Sequence, residues 1–260
     1  MKNPKNILIT GASSGIGRAL ALYYASKGVR LYLTGRDKSR LDEVVRLCGD
    51  SGAIVEGENI DVADQEKMAS WILGFKNLDL VIANAGISGG TGGRQDGEPL
   101  EEARTIFNVN IMGVLNTIEP ALNKMREVSN NEIKGQVAVL SSMAGFRGWP
   151  SAPAYSASKG CVRFYGEALR GALKDTGIEV NVICPGFVTS RITDANEFPM
   201  PMKMSAEKAA IIIAKGLSKN KGRICFPWPI HFMSWFIGAL PDALAQKIVS
   251  RVPDKTPVTG

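Results

Sequence analysis

Residues 6–17 read Asn6-Ile-Leu-Ile-Thr10-Gly-Ala-Ser-Ser-Gly15-Ile-Gly17, and the fold class follows from how this stretch changes character. Its first half is a short apolar run rich in β-branched side chains, the pattern of a buried strand. Gly11, Gly15 and Gly17 follow, and glycine lets a backbone turn tightly and come close to a ligand. Ile16, Leu20 and Tyr24 then recur at i, i+4 and i+8, one face of a helix. A helix that starts this way offers unpaired N–H groups and a positive dipole end to a pyrophosphate. The spacing is G-x-x-x-G-x-G rather than G-x-G-x-x-G. The glycines alone leave room for an ordinary strand-to-helix turn, and it is the flanking strand and helix that favour a dinucleotide.

The same alternation continues outward. Apolar runs at Val29–Thr34, Ala53–Glu56, Leu78–Ala83, Val137–Ser141, Glu179–Cys184 and Arg223–Phe226 join Asn6–Thr10 as seven candidate strands. Most are nearly continuous, as in a parallel sheet buried on both faces. Helical spacing fills the gaps: Leu41 to Cys48, Met68 to Phe75, Ala103–Arg126, Ala152–Asp175 and Ala206 to Leu217. Strand and helix in alternation make βαβ units, and right-handed crossovers wind them both ways. The expectation is an α/β, Rossmann-type, doubly wound, mostly parallel seven-stranded sheet with helices on both faces, one domain over residues 1–260.

Composition narrows the function classes. Apolar residues are 45% and charged residues 22%, ordinary for a globular chain. The net charge of +6 comes without a run of five or more Lys or Arg, so nothing supports nucleic acid as a partner. The excess positive charge fits an anionic cofactor better. Cys48, Cys161, Cys184 and Cys225 are scattered, as in a reducing cytosol. A single histidine, His231, excludes a multi-His metal site and reads as structural. No apolar stretch reaches the roughly 18 residues of a membrane span, and the N-terminus lacks a signal peptide, so a soluble cytoplasmic protein is expected.

Several residues suggest chemistry. The second strand ends in Leu33-Thr34-Gly35-Arg36, where a dinucleotide fold meets the adenosine ribose. An acid there would bind the ribose hydroxyls, whereas the Arg36 guanidinium can fork a 2′-phosphate, which favours NADP (NADPH) over NAD. Asp37, adjacent, argues the other way. Asp61 could accept from an adenine amino group or simply start a helix. Tyr155 and Lys159 are spaced i, i+4, on one helix face. A free tyrosine, with a pKa of about 10, is a poor base at neutral pH, and a nearby ammonium favours its phenolate. Tyr155 could then exchange a proton with a carbonyl oxygen. Ser142, at a strand's C-terminal end, could donate to the same oxygen. Ser141 is its rival, pointing oppositely by strand alternation. The Asn110 amide could serve a water relay to Lys159 or be a satisfied buried amide.

These residues together resemble the short-chain dehydrogenase/reductase family in its compact branch. Thr10–Gly17, Asn84-Ala-Gly86, Asn110, Ser142, Tyr155-x-x-x-Lys159 and Pro185-Gly186 with Thr189 occur in the family's order over roughly residues 5–226. The resemblance implies a hydride transfer between nicotinamide and a carbonyl or alcohol. It implies Tyr155 as acid/base, Lys159 as its partner on the nicotinamide ribose, Ser142 orienting substrate and Asn110 holding a relay water. It further implies cofactor contacts from Gly11, Ser13, Ser14, Gly15, Ile16, Gly17, Arg36, Asp61, Val62, Asn84, Ala85, Gly86, Pro185, Gly186, Val188 and Thr189. The family's long helices imply a homodimer or homotetramer.

The remaining segments are less standard. Residues 88–99 form a glycine-rich break. Residues 187–204 read as a substrate lid, with Phe198, Met200, Met202 and Met204 as an adaptable apolar wall. The apolar extension 227–260, with Trp228, Phe232, Trp235, Phe236 and Leu240, could cover the substrate cleft, form a subunit contact or touch a membrane surface peripherally through residues 227–252. Two other function classes stay open: a nicotinamide-binding scaffold without turnover, which has no need of Tyr155, and a nucleotide-sugar epimerase or dehydratase, for which the chain beyond Pro185 leaves little room.

Overall fold

The computed structural model describes residues 3–93, 97–127, 134–194, 199–251 and 255. Seven strands form one parallel sheet: β1 (Asn6–Thr10), β2 (Arg30–Thr34), β3 (Ile54–Glu58), β4 (Leu80–Ala83), β5 (Gly135–Leu140), β6 (Ile178–Pro185) and β7 (Arg223–Phe226). Their order is β3-β2-β1-β4-β5-β6-β7. Every pairing is parallel, so the strand C-termini all reach one edge. The chain winds outward from β1 in one direction and from β4 in the other, and the crevice between their ends is the switch point where such sheets bind ligands.

Successive residues of each strand enter opposite layers, as the two-residue period requires. Ile7, Ile9, Leu31, Leu33, Leu80, Ile82 and Ala138 meet α1 (Gly15–Tyr24) and α2 (Lys38–Asp50), with a third helix described below. Leu8, Tyr32, Val81, Val137 and Val139 meet α3 (Gln65–Leu73) and the long helices that follow β4. The edge strand β3 is the exception: Ile54 is largely exposed, because no further strand covers it.

The structure changes several expected boundaries. The third strand is Ile54–Glu58 rather than Ala53–Glu56, and the fifth ends at Leu140 rather than Ser141. The continuous helix expected over Ala103–Arg126 is α4 (Leu100–Phe107), a π turn (Asn108–Met112) and α5 (Gly113–Arg126). The wide turn has a local cause on each side. Asn110 turns inward to bond the chain after β4, and Gly113 packs where a Cβ would lie 2.5 Å from Val62 Cγ2. A π bulge accommodates such an inserted residue without ending the helix.

Beyond β5 come a 3-10 turn (Met143–Phe146) and α6 (Pro153–Ala172). After β6 come α7 (Arg191–Asp194) and α8 (Ala206–Ser218), which completes the first layer. The C-terminal region folds as α9 (Trp228–Ala239) and α10 (Asp242–Val249). Residues 195–198, including Phe198, and most of the tail beyond 251 lie outside the described residues. Among the described residues, no helix is long and apolar enough to cross a membrane.

Candidate active site

The Gly11–Gly17 turn is built against β4. Gly11 and Gly15 have φ of +66° and +53°, a left-handed backbone that glycine adopts without strain. A Cβ on Gly17 would lie 2.3 Å from the Gly11 carbonyl oxygen and 2.6 Å from Asn84 Nδ2. The turn is thus a bare-backbone cradle at the start of α1, where N–H groups face an incoming phosphate. Ser14 caps α1 by position, without a side-chain hydrogen bond. Asn84 ties the cradle down: its Nδ2 donates to the Thr10 carbonyl at 2.8 Å, and its backbone N–H donates to Thr10 Oγ1 at 3.0 Å.

After β2, the end expected to meet adenosine, the two neighbouring charges separate. Asp37 caps α2, accepting from the Arg40 N–H at 3.0 Å and pairing with the Arg40 guanidinium at 2.6 Å. Those bonds hold its carboxyl below the usual carboxylate range. Arg36 is exposed and makes no hydrogen bond or ion pair among the described residues. Asp61 bonds back to the Ala63 N–H at 3.0 Å, and Asp64, not Asp61, caps α3. Val62 is buried beneath this turn. Arg40, on the first turn of α2, is the group that engages Asp37.

At the other end, Ser142 and Ser141 divide their roles. The Ser141 hydroxyl donates to the Lys159 carbonyl at 2.7 Å and is buried. The Ser142 hydroxyl caps the 3-10 turn, accepting from the Ala144 N–H, and lies close enough to the Tyr155 hydroxyl to favour its phenolate. Gly145 makes this approach feasible, since a Cβ there would meet the Lys159 backbone at 2.7 Å. Tyr155 and Lys159 do share one face of α6, with Lys159 Nζ 5.9 Å from the Tyr155 ring centroid. Lys159 Nζ donates to the Leu140 carbonyl at 3.1 Å. Gly86 lies beside both groups: a Cβ there would be 3.1 Å from Asn110 Oδ1 and 3.2 Å from Lys159 Nζ.

The Asn110 side chain is engaged within the protein. Its Nδ2 donates to the Ile87 carbonyl and to Ser158 Oγ, and its Oδ1 accepts from the Ile87 N–H. Both amide hydrogens are therefore spent on holding Ile87 and α6 together. Burial pushes the Tyr155 phenol above its ordinary value, opposed by the neighbouring Ser142 hydroxyl. Burial also pulls Lys159 down to about 8. The tyrosine is thus kept as a phenol, ready to donate.

The β6 end closes the site. The Gly186 N–H donates to the Phe226 carbonyl at 2.7 Å, which seats Pro185-Gly186 on β7. Val188 pairs with Met204 in an isolated bridge, and Thr189 Oγ1 donates to the Met204 carbonyl at 3.2 Å. The 187–204 segment is therefore pinned at its base. Helix α9 lies on the 3-10 turn, where Gly238 nears the Phe146 carbonyl and His231 meets the Phe146 ring edge-on. A cleft of about 710 Å³ lined by Phe146, Trp149, Ser156, Gly160 and Phe164 lies beside α6 but includes neither Tyr155 nor Ser142.

A sequence model described as short chain dehydrogenase matches residues 5–199. The chain belongs to the short-chain dehydrogenase/reductase family. It is an oxidoreductase by that membership. An uncharacterized oxidoreductase of Myxococcus xanthus (strain DK1622) is 36% identical over 252 residues, covering 95% of this chain and 97% of that one. One from Mycobacterium tuberculosis (strain CDC 1551) is 32% identical over 257 residues, covering 94% and 96%. Among solved structures, a short chain dehydrogenase/reductase from Burkholderia phymatum in complex with NAD is 25% identical with a TM-score of 0.79, covering 99% and 98%. A short-chain dehydrogenase from Sphingobium yanoikuyae in complex with NADPH has a TM-score of 0.78 at 24% identity, covering 95% and 96%. In this short-chain dehydrogenase, then, the cradle, Ser142, Tyr155 and Lys159 line one sheet edge.

Lys159 also gives the dehydrogenase a pH signature. Its folded pKa of about 8 lies below the ordinary lysine value, so the unfolded chain binds more protons between the two. Its contribution to stability is present above the ordinary value and is lost as pH falls through about 8. Replacing it by methionine, Lys159→Met, should favour the variant at pH 7 relative to pH 10.5. The gap should shift toward the wild type by up to about 3 kcal/mol across that window, read from urea unfolding at each pH.

Proposed function

We propose that this chain is a cytoplasmic NADP(H)-dependent oxidoreductase that interconverts a small carbonyl compound and its alcohol, with Tyr155 as general acid/base. The single observation that carries the reading is the meeting of Ser142, Tyr155 and Lys159 at the sheet edge, with Lys159 Nζ 5.9 Å from the Tyr155 ring centroid. The bare Gly11–Gly17 cradle fits a dinucleotide pyrophosphate, and neighbours described with NADPH and with NAD support a nicotinamide cofactor. When bound, such a cofactor supplies or accepts the hydride. Gly11, Ser13, Ser14, Gly15, Ile16 and Gly17 would hold its phosphates. Asp61, Val62, Asn84, Ala85 and Gly86 would line the adenosine side and crevice, and Pro185, Gly186, Val188 and Thr189 the nicotinamide side.

The chain's own groups then have separate tasks. In reduction, Tyr155 donates its phenolic proton to the substrate oxygen while Ser142 donates a hydrogen bond to the same atom. Lys159, largely protonated at neutral pH, favours the resulting phenolate. Asn110 is a positioning residue, because it holds Ile87 and Ser158 rather than substrate. Arg36, free of protein partners among the described residues, is the natural contact for a 2′-phosphate, whereas Asp37 is committed to α2. The methionines at the base of the 187–204 segment and the aromatic helix α9 favour a substrate with an apolar body. We assign α9 to roofing the substrate end, since it packs on the turn that carries Ser142. Its outer aromatic face, Trp228, Phe232 and Trp235, is exposed and is the surface by which peripheral membrane contact would be made.

Tyr155→Phe should lower kcat by about 10²- to 10⁴-fold in a carbonyl-reduction panel followed by NADPH absorbance, with NADPH binding retained. A scaffold without turnover would show no such loss. Arg36→Leu should raise KM for NADPH about tenfold or more while leaving KM for NADH within about threefold. A homodimer or homotetramer is the expected assembly, because Phe107, Met112, Phe164 and Tyr165 expose apolar surface on the π turn and the helices beside it. Phe164→Asp should shift its mass by light scattering toward the monomer.

A further inference from the structure

Lys255 comes to the active site. The Lys255 carbonyl accepts from the Gly92 N–H at 2.8 Å. Its Cβ and carbonyl oxygen would each lie 2.6 Å from a Cβ on Gly90, so only a bare glycine allows this approach. The Thr91 N–H donates to the Ser151 carbonyl at 3.0 Å, which ties the same glycine-rich stretch to the approach to α6. Lys255 Nζ donates to Ser88 Oγ and stands 4.6 Å from the Tyr155 ring centroid. It is nearer to that ring than Lys159 Nζ, at 5.9 Å. Ser88 follows Ile87, which Asn110 grips through both backbone groups. The ammonium therefore sits on a held platform beside the tyrosine.

Its hydrogen bonding is incomplete. An ammonium has three donors, and among the described residues Lys255 uses one, on Ser88, and makes no ion pair. Glu98 is the acid whose charge reaches it. One Glu98 oxygen accepts from the Ala154 N–H at 2.8 Å, and the other is buried without a hydrogen-bond partner among the described residues. Burial pulls Lys255 down to about 8, which leaves it cationic at neutral pH. A half-buried cation with unused donors is costly unless an acceptor arrives.

We propose that Lys255 is a specificity-determining residue whose ammonium receives the carboxylate of a substrate whose reacting carbonyl lies a few bonds away, so that the substrates are oxo acids and the corresponding hydroxy acids. The proposal rests on Tyr155 as the proton donor. Lys255 Nζ stands over the ring that carries the Tyr155 hydroxyl, so carbonyl and carboxylate of one short oxo acid would meet the two groups together. The apolar body of the substrate is left to the 187–204 segment and α9.

The test compares 3-oxobutanoate with its methyl ester in the wild type, Lys255→Met and Lys255→Arg. Wild type should prefer the acid, and Lys255→Met should lower its kcat/KM about tenfold or more through KM, leaving the ester within about threefold. Lys255→Arg should recover most of the loss. Equal losses on acid and ester, or no loss on either, would overturn the proposal. A readout without turnover separates it from the Tyr155 reading. The thermal shift given by 3-hydroxybutanoate with NADPH should be present in wild type and Lys255→Arg and abolished in Lys255→Met. A shift that is absent in wild type or unchanged in Lys255→Met rejects the role of Lys255. A Lys255-dependent shift without any turnover supports it while rejecting Tyr155 as acid/base.

Discussion

Thr10 Oγ1 accepts from the backbone N–H groups of Asn84 and Ala85, and the Asn84 amide returns the bond to the Thr10 carbonyl. These bonds join the ends of β1 and β4 where the sheet's winding reverses. Without them the crevice would open and the Gly11–Gly17 cradle would lose its rear wall. Gly17 sits so close to Gly11 and Asn84 that no side chain fits. The shape of this candidate phosphate cradle therefore depends on an uncharged clamp of buried hydrogen bonds, which are costly to leave unmade.

A second clamp works one strand away. Asn110 grips Ile87 from the π turn, and its other amide hydrogen reaches Ser158 on α6. The two clamps share the segment Asn84–Ile87, so the cofactor cradle and the catalytic helix are referenced to one short piece of chain. Lys159 and Lys255 then approach Tyr155 from different elements, both pulled to about 8 by burial. Burial keeps the phenol beside them protonated. That combination suits proton donation to an oxygen that is becoming negative.

Much of this was legible in the chain. The strand periodicity predicts the two layers, and the observed split of Ile7 and Ile9 from Leu8 follows it. The Tyr155 and Lys159 spacing predicts a shared helix face, and α6 provides one. The sequence favours Ser142 over its rival Ser141, but alternation says only that the two diverge, not which faces the site. The π turn was not legible, since the weak helix formers of Asn108–Met112 do not say how a helix widens, and the widening answers contacts with Val62 and Ile87. Neither was Lys255, a solitary lysine in a polar tail.

What the sequence determined by itself is what short-range physics encodes: strands, helices, the glycine turn, and the i, i+4 pair on one face. These depend on neighbours in the chain, so they can be read from spacing. The tertiary structure alone decided that Asn110 spends its amide on Ile87, that Asp37 belongs to α2, and that Lys255 comes to Tyr155 across 100 residues of chain. Those outcomes depend on which groups are left without partners once the sheet has formed. A buried polar group takes whatever partner the fold brings within reach, whatever its distance in sequence.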